Sequence, residues 1–226
     1  MTSRLMKNPA ALIDHTLLLP TTTEADIHLL CEDAVEYAFA CVCIPPVFVS
    51  LAARNLYGSG VKVCSVIGFP CGYSSTRSKV QEASELVSAG AEEIDMVMQI
   101  GHFLSGNKKI VEEEIAQVVI AAQNSTVKVI VECCYLSNTQ KIEATEMVCR
   151  AGADFIKTST GFGSSGAAVA DVELLVRTSA GRIGVKAAGG IRSLDDCYRF
   201  IAAGATRIGS SSGASMIKEW QQKELK

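Results

Sequence analysis

The chain has 226 residues, a formal net charge of −3, 48% hydrophobic and 20% charged residues. That is enough apolar material for a large core and too little charge for disorder, and with no Lys/Arg run the chain offers no phosphate-neutralising face to nucleic acid. No apolar stretch reaches the ~18–20 residues that span a bilayer, and the segment MTSRLMKNPAALIDH lacks an uninterrupted apolar core, so a cytoplasmic protein without a membrane partner is expected.

In chain order, short β-branched runs alternate with segments of helical periodicity. The runs cover 11–15, 39–44, 61–69, 93–98, 127–133, 154–158, 183–187 and 206–210, which makes eight candidate strands. Between the first two, Ile27, Leu30, Cys31, Ala34, Val35 and Ala38 recur at helical spacing; Val111, Ile115, Val118, Val119 and Ala122 do so later. Ser137 with Gln140, and Ser193 with Asp196, match the capping-box spacing that opens a helix.

A weak repeat supports the count. SAGAEEIDM, RAGADFIKT and AAGATRIGS begin at residues 88, 150 and 202, and in each the glycine suits the left-handed end of a helix before a strand begins. These strands take positions four, six and eight. The α/β pattern predicts a single-domain TIM (β/α)8 barrel over 1–226, with a doubly wound open sheet as the competing arrangement. Eight regular units and the lack of GxGxxG after the first strand favour the barrel.

The nine cysteines show no CxxC spacing and sit mostly in strand-like runs, so they read as buried reduced thiols; Cys43, late in the second strand, is read the same way. The three histidines form no HxH or HExxH group, and neither a metal nor another cofactor is expected.

Barrel chemistry gathers at the carboxyl ends of the strands. Lys62 and Lys128 begin their runs, which reads as reaching solvent at the bottom rim. Lys157 in DFIKTSTGFG and Lys186 in IGVKAAGGIR end theirs and lead into glycine-bearing loops on neighbouring strands. Mutual repulsion and desolvation would lower a lysine pKa there and free an amine for attack on a carbonyl; the alternative is two rim lysines that snorkel or pair with a carboxylate. Asp95, late in the fourth strand, is a candidate general acid/base. Asp14, Thr16 and Glu132 also fall near strand ends, where orienting a neighbour and reacting are both open. The loops at Gly161, at Gly189 and Gly190, and at Gly209, Ser211 and Ser212 follow strands six to eight, where backbone amides and hydroxyls can hold an anion, so a small phosphate ester is the expected substrate.

With these residues assembled, the sequence resembles the deoxyribose-phosphate aldolases, class I aldolases built on the TIM barrel. The likeness runs through IDHTLL, CVCIPP, IGFPCG, EIDMVMQIG, FIKTSTGFG, VKAAGGIR and IGSSSG. It implies reversible cleavage of 2-deoxy-D-ribose 5-phosphate to D-glyceraldehyde 3-phosphate and acetaldehyde, serving deoxyribose phosphate catabolism. It also implies a Schiff base on Lys157, proton transfer by Lys186 and Asp95 through water, and phosphate contacts from Gly161, Gly189, Gly190, Gly209, Ser211 and Ser212. The partners it implies are a phosphorylated sugar, an aldehyde and a second copy of the chain in a homodimer. Two departures stand out: the chain ends QQKELK where some members carry a tyrosine tail, and Phe162 stands where some carry a lysine, which shifts the phosphate grip toward backbone amides and Arg192.

Overall fold

The computed structural model describes residues 7–225; of the single domain expected over 1–226, residues 1–6 and 226 lie outside the described residues. Eight parallel strands close on themselves: β1 (Ile13–Thr16), β2 (Cys41–Ile44), β3 (Lys62–Ile67), β4 (Glu93–Val97), β5 (Thr126–Ile130), β6 (Phe155–Lys157), β7 (Gly184–Ala188) and β8 (Arg207–Ser210), with β8 pairing back onto β1. Around them lie α1 (Glu24–Tyr37), α2 (Val49–Asn55), α3 (Thr76–Ser88), α4 (Ile100–Leu104), α5 (Lys108–Ala121), α6 (Asn138–Arg150), α7 (Val169–Ser179), α8 (Leu194–Ala202) and α9 (Gly213–Glu224). The expected barrel forms, and the open sheet is excluded by the β1–β8 pairing.

Most strands are shorter than their apolar runs. The run from residue 11 begins in a 3-10 turn, Ala10–Leu12, and the run to 133 stops at Ile130, because Glu132 adopts a left-handed backbone and turns the chain out of the sheet. The repeat glycines behave as expected: Gly90, Gly152 and Gly204 have φ of 107°, 82° and 99°, positions where a side chain would be strained. Ser137 and Gln140 form a full capping box. Ser193 accepts from the Asp196 amide, but its hydroxyl, not its amide, donates to the Asp196 carboxylate, so that box is half made.

Side chains alternate across each strand, and here the alternation separates two chemistries. Ile13, Val42, Ile44, Val63, Ile67, Ile94, Met96, Val127, Val129, Ile156, Val185 and Ile208 join one buried apolar layer with the helices. The alternate set faces inward: Asp14, Cys41, Cys43, Cys64, Glu93, Asp95, Lys128, Lys157, Lys186 and Arg207. Barrel interiors are usually filled by branched apolar residues; this one is filled by charge. Glycine makes room for it at 209, where a Cβ would meet Lys186 Cε at 3.1 Å, while glycine at 184 makes room for the Phe155 ring.

Outside the barrel, Lys79 of α3 lies fully buried, 2.8 Å from both the Glu114 carboxylate of α5 and the Val97 carbonyl, and its stem packs under Gly68 in the loop that carries Phe69 to the barrel mouth. Burial pushes the Lys79 amine down and the Glu114 carboxyl up, against the attraction each exerts on the other. Breaking such a pair is costly because one charge is left unmatched. Lys79→Met is therefore expected to lower the unfolding free energy at neutral pH by about 3–5 kcal/mol, read from urea unfolding followed by circular dichroism; a midpoint equal to that of the parent would contradict a structural role for the pair.

Candidate active site

Asp95 lies at the centre of the interior. Its Oδ2 accepts from Lys157 Nζ and from Lys186 Nζ, each at 2.7 Å, and its Oδ1 from Lys128 Nζ at 2.9 Å. The parallel register makes this possible: Lys157 pairs with Lys186 across β6 and β7, and Asp95 with Lys128 across β4 and β5. Lys128 also reaches Glu93 at 2.5 Å and Cys64 Sγ at 3.4 Å. Lys186 pairs with Asp14, whose other oxygen accepts from Arg207 at 2.6 Å, and Arg207 returns to Glu93 at 3.1 Å. The result, among the described residues, is one continuous interior network of four cations and three carboxylates, joined from the rim by Lys62, which reaches Glu93 at 3.8 Å.

Burial opposes the charge on Asp95, yet Lys128, Lys157 and Lys186 outweigh it and hold the carboxyl well below the usual carboxylate range. Asp14 behaves alike: burial is overcome by Lys186, Lys128 and Arg207, and its pKa falls. For Lys186 the expectation of a lowered pKa is overturned. Burial does act to lower it, but Asp14 and Asp95 prevail, and its ammonium is held well above the ordinary lysine range.

Lys128 requires a second correction. The expected bottom-rim, solvent-reaching lysine is 0% exposed and belongs to the interior network, because its side chain falls on the inward face of β5 and its four-carbon stem carries the ammonium up to Asp95. Lys62, by contrast, keeps 48% of its side chain exposed at the rim. Glu93 and Arg207 went unassigned in the sequence; Glu93 shares the alternation phase of Asp95, which is the signal that marks it as inward-facing.

Above the network opens a cavity of about 340 Å³ lined by Lys157, Thr160, Gly161, Phe162, Gly189, Gly190, Arg192, Gly209 and Ser211 on one side and by Thr16 and Leu17–Leu19 on the other. Lys157 is the amine that reaches it, while Lys186 and Asp95 lie beneath, fully buried. Phe162 meets Phe69 edge-to-face, with ring centroids 5.4 Å apart. Gly161, Gly189 and Gly190 all have positive φ, and among the described residues their amides donate no hydrogen bond. Among the described residues Arg192 forms no ion pair. Ser212 sits elsewhere: it precedes α9, its amide donates to Ser210 Oγ, and it lines an adjoining cavity with His15, Asp33 and Lys218. The apolar wall Leu17–Leu19 was not foreseen from the sequence.

Cys43 is fully buried in the interior. Two groups, Cys41 with Cys64 and Glu93, and Cys43 with Cys64 and Asp95, bring possible ligand atoms within 4.8 Å of one another; spacing within one strand concealed this because the groups form across strands. The Lys128 ammonium already stands among these donors.

A parallel barrel that presents a lysine amine at its carboxyl-terminal mouth, with a buried carboxylate and a second lysine below, defines an enzyme of carbonyl chemistry. The DeoC/LacD family aldolase profile matches residues 10–221, and the chain belongs to that family. It is 50% identical over 223 residues to a deoxyribose-phosphate aldolase of Caldanaerobacter subterraneus subsp. tengcongensis, covering 97% of this chain and 96% of the relative. Among solved structures, the aldolase QR15 superposes with a TM-score of 0.94 at 40% identity, covering 97% of this chain and 99% of that one. A deoxyribose phosphate aldolase from Aeropyrum pernix, described as a unique tetramer, gives 0.88 at 36%, covering 95% and 91%.

The depressed carboxyls fix the sign of the acid response. A carboxyl whose pKa is lower when folded contributes stability above its unfolded pKa, near 4, and that stability is lost as pH falls toward the folded value. Asp14→Asn removes one such group, so the slope of unfolding free energy against pH below about 4 should flatten by up to about 1.4 kcal/mol per pH unit. Urea titrations between pH 2 and 5 would measure it, and parallel slopes in parent and variant would contradict the assignment.

Proposed function

We propose that the chain cleaves 2-deoxy-D-ribose 5-phosphate reversibly to D-glyceraldehyde 3-phosphate and acetaldehyde, with Lys157 forming the imine and Lys186 and Asp95 managing protons. The observation that carries the reading is the pair of 2.7 Å contacts from Lys157 and Lys186 to one oxygen of Asp95, beneath a cavity that, of these three, Lys157 alone lines.

An amine must be neutral to attack. Asp95 Oδ2, 2.7 Å from Lys157 Nζ, is the group placed to relay the proton that the amine gives up. Attack of Nζ on the open-chain aldehyde and loss of water give a protonated imine. That imine accepts the electron pair of the C2–C3 bond as the C3 hydroxyl gives up its proton, releasing glyceraldehyde 3-phosphate and leaving an enamine on Lys157. Protonation at C2 and hydrolysis then release acetaldehyde and restore the amine. Lys186, held cationic by Asp14 and Asp95, is the stored proton; Asp95 links it directly to Lys157, and water carries the proton on to the substrate.

The phosphate end of the substrate fits the unpaired amides of Gly161, Gly189 and Gly190, with Gly209 and Ser211 beside them and Arg192 supplying charge. Gly209 also serves packing, since only hydrogen fits over the Lys186 stem. Ser212 contributes by shaping the Ser210–Gly213 turn. Residues 1–226 act as one domain in this reading, and the chain acts in the cytoplasm; among the described residues no helix is long and apolar enough to cross a membrane. Association as a homodimer belongs to the same reading.

Borohydride reduction in the presence of acetaldehyde should leave one ethyl group on Lys157, located by peptide mapping and absent from Lys157→Ala. An adduct on another residue, or none, would refute the imine assignment.

A further inference from the structure

Glu132 occupies a place no part of this reaction uses. It follows β5 with φ 52° and ψ 71°, a left-handed backbone that glycine would adopt without strain. Yet the position holds a carboxylate, 2% exposed, and that carboxylate is engaged. The Thr160 amide donates to both its oxygens at 3.3 and 3.2 Å, and the Thr160 hydroxyl donates to Oε2. The same hydroxyl oxygen accepts from the Phe162 amide at 3.0 Å. On the other side, Gly163 lies so close that an added Cβ would stand 3.0 Å from Glu132 Cδ.

These bonds consume the amides of Thr160 and Phe162, on either side of Gly161. The Gly161 amide is left unengaged among the described residues, on a loop that begins three residues after Lys157 and lines the cavity. A buried carboxylate that touches neither the cavity nor an ion partner among the described residues, and is held in a strained turn, is there for what it orients. We infer that Glu132 is a positioning residue: it clamps the Thr160–Gly161–Phe162 turn so that the Gly161 amide faces the substrate's phosphate. This rests on the aldolase reading above and goes beyond it.

The test compares Glu132→Gly and Glu132→Gln with the parent. Glycine suits the left-handed backbone but deletes the clamp; glutamine keeps an oxygen that accepts from both Thr160 donors. Steady-state cleavage is measured with 2-deoxy-D-ribose 5-phosphate and with unphosphorylated 2-deoxy-D-ribose, alongside melting temperature and acetaldehyde trapping on Lys157. For Glu132→Gly, KM for the phosphorylated substrate should rise about tenfold to a hundredfold. Activity on 2-deoxy-D-ribose and the trapped adduct should persist, and Glu132→Gln should stay near the parent. A fall in melting temperature with KM unchanged, or an equal loss on both sugars, overturns the positioning role and leaves a purely structural one. Parent protein that cleaves neither sugar and traps no acetaldehyde refutes the aldolase reading itself, and with it the clamp's purpose.

Discussion

The structure depends on one carboxylate shared by three ammonium groups in the buried interior of the barrel. Asp95 cannot be buried there without cations, and Lys128, Lys157 and Lys186 cannot be buried together without an anion between them. Once that group is fixed, much else follows. Glu93, Asp14 and Arg207 are needed to complete the charge pattern, and glycine at 209 gives the Lys186 stem room. The apolar work of folding is moved to the outer face of the sheet, where the strands meet the helices.

Depth divides the labour of the site. At the lower levels the side chains are saturated with partners and carry fixed charge; at the mouth, backbone amides on glycine turns carry directional but unspent hydrogen-bonding capacity. Lys157 spans the two, with its ammonium on Asp95 and its flank on the cavity. An electrophile can thus be engaged by a group whose charge state is set from below while its distal anion is held from above.

Much of this was legible in the chain. The alternation of β-branched runs with helical spacing gave eight strands, and the glycine repeat assigned three of them to their places, because both signals are local. Lys157 and Lys186 were legible because each comes after the apolar part of a run that leads into a glycine loop, and Asp95 because it is an acid within the fourth run. Lys128 was misread for a related reason: position along a strand reports the height of a Cα, not the reach of a flexible side chain. The pKa of Lys186 was misread because two lysines were visible as neighbours in sequence logic while Asp14, on the far side of the chain, was not seen to lie between Lys186 and Arg207. Cross-barrel contacts of that kind, such as the one between residues 193 apart in sequence, leave no local trace.

The network also has a division along the chain. Its three carboxylates, Asp14, Glu93 and Asp95, lie on β1 and β4, whereas Lys128, Lys157, Lys186 and Arg207 lie on β5, β6, β7 and β8. The first half of the barrel is an acid and the second half a base. Apart from Lys62, which meets Glu93 from the rim, neither half can close around its own interior without burying charge of a single sign, so a fragment cut between β4 and β5 is electrostatically frustrated until its complement arrives. Barrel closure is in this sense a neutralisation, with each half serving as the counter-ion of the other.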